Sequence, residues 1–227
     1  MDILVTPLVT IFSGVGLSML IAAPIGTAAS QVGTLIMWAT EQAPLAMGIL
    51  VSVIVGVALT LPISSAAICA ALGLTGLAGG AAVAGCCAQM IGFAVMSYKE
   101  NGVGGLVSQG LGTSMLQMGN IVKNPRIWIA PTLASAITGP LATCVFHFEM
   151  NGAAVSSGMG TCGLVGQIGV YTGWVSDIAA GTKAAITPMD WAAMVLLCFV
   201  LPAVLSVIFC EIERKLGWIK EGDLKLN

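Results

Sequence analysis

The chain has 227 residues, 57% of them hydrophobic and 8% charged, with a net charge of −2. A soluble domain is nearer ~25% charged, so the composition excludes a water-soluble fold and places the chain in a membrane. The small net charge, with no basic stripe and no acidic tail, excludes a nucleic-acid partner.

Ile3–Ala23 is a first apolar run, with Pro7 near its start and Pro24 closing it. No basic n-region precedes it, so it is expected to stay as a span rather than be cleaved. Residues 25–40 are rich in small residues. With Thr27, Ser30, Gln31 and Thr34 they are too polar to face lipid comfortably, and they are expected to form a packed or short segment ending at the interfacial Trp38 and Glu41. Pro44–Leu61 is the next long apolar run, stopped at Pro62. Ile63–Leu74, with Ser64 and Ser65 at its head, is too short to cross a bilayer of ~30 Å alone.

Gly76–Tyr98 is a span whose Gly79, Gly80, Ala81, Ala82, Ala84 and Gly85 allow close helix contact. A polar turn at residues 99–102 leads into Val103–Asn120, where Gln109, Thr113, Ser114 and Gln117 recur at helical spacing. They either line a polar cavity or hydrogen-bond between helices, and Gln117 is a candidate solute contact. The basic turn Asn120–Arg126 follows, then the apolar run Ile127–Phe146. Two cations and a proline directly before a span mark a cytoplasmic turn.

His147–Gly173 is neither a clean span nor an ordinary loop; it is dense in Gly and Ser. Asp177–Thr187 reads as interfacial. Met189–Cys210 is the last span, with Pro202 inside it, and a charged segment, Glu211–Asn227, follows. The expectation is an all-α, polytopic fold of about six to eight spans with two re-entrant or broken-helix segments. Residues 1–212 would form the membrane domain and 213–227 a short cytoplasmic tail. The two non-crossing pieces echo each other: Pro62–Ser65 then Cys69, and Gly152–Ser157 then Cys162. Paired breaks of this kind surround solute sites in transporters.

Glu149 is the leading functional candidate, because an ionisable group at membrane depth is costly unless it is used. Its carboxylate can accept two hydroxyl hydrogen bonds, which suits a sugar-like ligand, or take a proton from an attacking hydroxyl. His147 lies two residues earlier. In an extended segment the two share a face; on a helix they do not. Asn151, Ser156 and Ser157 can add amide and hydroxyl contacts, as can Ser64 and Ser65 in the echoing piece. Asp177, Asp190 and Glu41 read as interfacial charges. The seven Cys form no C-x-x-C pair, and His147 is the only histidine. Buried free thiols are therefore expected, with no metal site and no cofactor.

Gly119–Pro140, with Glu149–Ala154, resembles the EIIC-like membrane proteins of the bacterial phosphotransferase system. The likeness is to the second EIIC family, which includes a clostridial regulator of perfringolysin. It implies a multi-pass protein of the bacterial plasma membrane, dimeric, with re-entrant hairpins around a carbohydrate pocket. Phosphate would come from separate cytosolic EIIB and EIIA proteins. Glu149 and His147 are the positions able to act at the accepting hydroxyl. Members extend further at the N-terminus, so the resemblance implies that the first helices are missing here. It leaves two expectations open: a sugar permease component, or a membrane sensor that binds a ligand without transporting it.

Overall fold

A computed structural model describes residues 2–226; the side chains of residues 2–8, 13 and 17–23 lie outside the described set. The ten α-helices are α1 (Asp2–Gln42), α2 (Pro44–Thr60), α3 (Ser65–Leu72), α4 (Gly76–Met96), α5 (Tyr98–Val107), α6 (Met118–Lys123), α7 (Ile129–Pro140), α8 (Val165–Ala179), α9 (Pro188–Val195) and α10 (Leu201–Lys215). The fold is all-α; the described residues hold no strand beyond an isolated bridge between Gly76 and Met150.

Three described stretches are long and apolar enough to cross a membrane: Gly76–Met96, Pro125–Val145 and Pro188–Lys215. At 1.5 Å per residue, the 21 residues of the first span about 31 Å. The shorter α2 joins them in the bundle. Most of the expected first span, Ile3–Ala23, falls on side chains outside the described set.

The bundle is built around α4. Every residue from Ala78 to Met90 is buried, with α2, α7 and α10 packed around it. Such encirclement needs small side chains. A Cβ on Gly85 would overlap the Ser52 carbonyl of α2, and one on Gly80 would overlap the Phe148 carbonyl. The polar side chains between these helices bond one another, as a bilayer interior demands. Ser52 donates to the Ser135 carbonyl at 2.8 Å, and Ser135 to the Gly85 carbonyl at 3.2 Å. The Gln89 side chain accepts from the Trp128 indole at 2.9 Å. Of the four polar residues at 109–117, Gln109, Ser114 and Gln117 are buried in such contacts.

Several prolines set the breaks. Pro62 ends α2 as expected, and Ser64 caps α3 by accepting from the Ala67 N–H at 3.1 Å. A π turn, Leu196–Val200, directly precedes Pro202, and another, Leu141–Val145, directly follows Pro140. Both loosen the hydrogen-bond ladder beside a residue that lacks an N–H. Pro24, expected to close a span, instead lies inside the continuous helix α1; a proline within a helix forfeits one bond without necessarily ending it. The expected helix over Val103–Asn120 is interrupted: a π turn covers Ser108–Gly112, and Thr113 is extended.

The two short pieces that echo in sequence meet in space. Ser65 at the start of α3 donates to the Gly158 carbonyl at 2.7 Å, and Ser157 donates to the Leu74 carbonyl at 2.6 Å.

The two ends of the bundle differ in charge. Every Lys and Arg except Lys183 gathers at the end where α4 and α10 finish and the stretch 125–145 begins. Lys99 pairs with Glu211 and Arg214 with Glu100, each at 2.7 Å. Glu41, Glu149, Asp177, Asp190 and Lys183 occupy the opposite end. The packing of Gly80 is directly testable. Gly80→Ala should destabilise the protein by about 3 kcal/mol, because the Phe148 backbone must move. Gly104→Ala, whose Cβ meets open space, should not lower the melting temperature in detergent.

Candidate functional site

Residues 148–151 run as an extended segment across the acidic end, entered through His147. Gly76 and Met150 exchange both backbone hydrogen bonds at 3.0 Å, which fixes the segment to the start of α4. The Phe148 N–H donates to the Ala142 carbonyl at 2.8 Å. Successive side chains of an extended segment point to opposite faces. Phe148 and Met150 are accordingly buried in the core, while His147 and Glu149 are exposed. The alternation turns Glu149 and Asn151 away from the core, and His147 lines the same cleft from a left-handed backbone.

The cleft holds about 500 Å³ and is completed by elements distant in sequence. Trp174 and Asp177 come from one face of α8, three residues apart. Thr182 and Lys183 come from the following loop, and Met189, Asp190 and Ala193 from α9. Its size lies within the roughly 300–1,000 Å³ common for small-molecule sites.

The polar groups form two linked sets. The Asn151 amide divides its two hydrogens between Glu149 Oε2, at 3.0 Å, and Asp177 Oδ2, at 2.9 Å. One amide thus holds two carboxylates on the same wall. Opposite them, Lys183 Nζ lies 2.8 Å from Asp190 Oδ1 and 5.8 Å from the Trp174 ring centroid. Asp190 also closes a capping box with Thr187 at the start of α9, so its position is set by the helix that carries it. Trp174 packs edge-on against Trp191 at 5.6 Å. The result is a cleft lined by three carboxylates, one amide and one cation, above a buried indole. Such a set suits a ligand that offers many hydroxyls.

The remaining sequence candidates lie elsewhere. Ser65 and Ser157 are buried and donate to the backbone bonds that join α3 to the stretch 154–158. Ser64 caps α3, and Ser156 is buried where α8 approaches at Gly169. Gln117 lies in a separate amide cluster reaching Leu224. Asp177, Lys183 and Asp190 were not singled out as site residues. The i, i+3 spacing of Trp174 and Asp177 and the Thr-x-x-Asp cap at 187–190 were the available signals. The seven cysteines are free thiols.

His147 has φ +44, a left-handed conformation rare for a residue with a Cβ. Backbone strain of this kind collects at functional sites, where surrounding structure enforces it. The conformation costs an L-residue ~1–2 kcal/mol. His147→Gly should therefore be more stable than His147→Ala, by about 2–4 °C in a melting experiment on a chain of this length.

A family model described as phosphotransferase system, EIIC matches residues 1–226. No curated protein and no solved structure matches. The helical architecture and the extent of that match place the chain in the EIIC family of the phosphotransferase system, as an integral membrane component.

Proposed function

We propose that the protein is the permease component of a sugar phosphotransferase system and that the cleft under Glu149 captures the solute. The observation that carries this reading is the hydrogen-bonded Glu149–Asn151–Asp177 set, which lines a cleft of about 500 Å³ together with Lys183 and Asp190. Carboxylates accept hydrogen bonds from vicinal hydroxyls. Exclusion of water strengthens each polar contact. Glu149 and Asn151 are the principal solute contacts, and His147 adds another from the same wall. Ser64, Ser65, Ser156 and Ser157 act behind them, holding the two broken pieces together. Gln117 serves the opposite end.

The basic end lies in the cytoplasm of a bacterium, by the rule that short cytoplasmic segments carry the Lys and Arg. That orientation places the C-terminus inside and makes the cleft outward-facing, able to load from outside. Glu149 then acts as proton acceptor for the attacking hydroxyl after the site has been presented to the inner face. A separate EIIB, charged by EIIA, supplies the phosphoryl group there. The active unit is a homodimer.

A second reading, a membrane sensor that binds solute without passing it, has one observation in its favour. The basic end is covered by the chain's own last residues, with Leu224 fully buried.

A thermal-shift series over free and phosphorylated sugars tests the site. At a hundredfold excess over the dissociation constant, a ligand specific for the folded state stabilises by ~2.7 kcal/mol. Glu149→Gln should weaken that ligand ~10- to 100-fold, the worth of a hydrogen bond to a charged group. The melting temperature without ligand should stay unchanged, because Glu149 is exposed. An undiminished shift in Glu149→Gln would remove Glu149 from the site. Binding that is never followed by uptake into vesicles supplied with EIIA, EIIB and phosphoenolpyruvate would identify the sensor.

A further inference from the structure

The segment after α10 is not a free tail. It folds back across the basic end, where side-chain amides grip its backbone. Asn101 makes a paired contact: its Nδ2 donates to the Leu224 carbonyl at 2.8 Å, and its Oδ1 accepts from the Leu226 N–H at 2.8 Å. Gln117 donates to the same Leu224 carbonyl at 3.0 Å, and Asn120 donates to the Lys225 carbonyl at 2.9 Å. Further back, Asn124 donates both to the Trp218 carbonyl and to Asp223 Oδ2 at 2.9 Å. Arg126 lies 5.5 Å from the Trp218 ring.

These amides are positioned by the bundle. Gln109 donates to Ser97 Oγ at 2.7 Å and to the Gly105 carbonyl at 3.0 Å, which fixes its Oε1 to accept from Gln117 at 2.9 Å. Gln117 Oε1 in turn accepts from Asn120 at 2.8 Å. Gln117 and Asn120 therefore spend one amide hydrogen on a bundle neighbour and direct the other at the segment. Leu224 is fully buried and Ile219 nearly so, in one apolar cluster with Phe93, Ile121, Ile127 and Cys210. The ordered amide row beside an apolar hole matches a peptide that carries a leucine-sized side chain at the end of a turn, as residues 221–224 do.

The segment itself is suited to leave. Lys220, Glu221, Gly222 and Lys225 are exposed. Gly217 and Gly222 have φ of +72 and +91, backbone states open to glycine and costly for other residues. These two glycines bound the 218–221 stretch that follows α10.

We infer that the basic end contains a peptide-binding groove, formed by Asn101, Gln117 and Asn120 around the Leu224 hole, and that the chain's own C-terminal residues occupy it as a releasable plug. The ligand class is a turn-forming peptide whose backbone presents two successive carbonyls and an N–H. Release would uncover Gln117, Asn120 and the Cys210 cluster to the basic side. The inference does not depend on whether the opposite cleft binds a sugar.

Native Cys210 is the reporter. It is 3% exposed and belongs to the cluster that Leu224 fills. Full-length protein in detergent is treated with a polar maleimide, and adducts are assigned by peptide mass mapping. Cys144, exposed at the other end, serves as the positive control, and the fully buried Cys86 and Cys87 report an intact core.

The wild type should label Cys144 readily and Cys210 slowly. Leu224→Asp should raise Cys210 labelling at least tenfold while Cys86 and Cys87 stay protected. A synthetic peptide with the sequence of residues 216–227, added in excess, should restore protection. The double variant Asn101→Leu, Asn120→Leu removes the grip without adding a charge. It should also expose Cys210, and here the peptide should not rescue. Labelling at the wild-type rate in both variants would overturn the inference. So would exposure in Leu224→Asp that the peptide fails to reverse, since that indicates general loosening rather than an emptied groove.

Discussion

Backbone-to-backbone contact along α4 is the constraint on which the other features rest. A helix surrounded on every side within a bilayer has no room for bulky side chains where its neighbours touch. Gly85 admits the Ser52 carbonyl of α2, and Gly80 admits the Phe148 carbonyl. Without water or a hydrophobic drive between helices in lipid, close packing and hydrogen bonds supply the attraction. Ser52, Gln89 and Ser135 provide those bonds at the same level of the bundle. The Gly80 contact also determines where the 147–151 segment lies, so the geometry of the cleft is inherited from the packing of α4.

The two ends of the bundle use the same chemical device for different purposes. A side-chain amide has two hydrogens and can hold two acceptors at a defined separation. At the acidic end, Asn151 uses both to place Glu149 and Asp177 on one wall. At the basic end, Gln117 and Asn120 each give one hydrogen to the bundle and one to the returning C-terminal segment. The first arrangement leaves a cleft of about 500 Å³; the second fills its cavity with Leu224.

Much of the fold was legible in local sequence. Composition required a membrane, and apolar runs located the helices around α2, α4, α7 and α10. Pro62 marked a real break. Pro24 did not, because a proline weakens a helix at one bond and its surroundings decide whether that bond is decisive. The glutamines at 109 and 117 had the spacing of one helix face, yet the helix is interrupted at Thr113. Helical periodicity cannot register an interruption whose freed backbone groups are satisfied by tertiary partners.

The sequence by itself determined the membrane class, the helical architecture, the family, and the placing of His147, Glu149 and Asn151 in one unusual stretch. It did not decide how His147 and Glu149 are placed; both line one cleft because the Gly76–Met150 bridge fixes the segment and His147 takes a left-handed backbone. Only the tertiary structure added Asp177, Lys183 and Asp190 to the cleft and turned the charged tail into an ordered cover. The reason is distance along the chain. Asn151 meets Asp177 across 26 positions and Asn101 meets Leu226 across 125, and local propensity holds no record of such pairs. Their positions follow from helix packing, and packing is decided by side-chain volume at contacts such as Gly80 and Gly85.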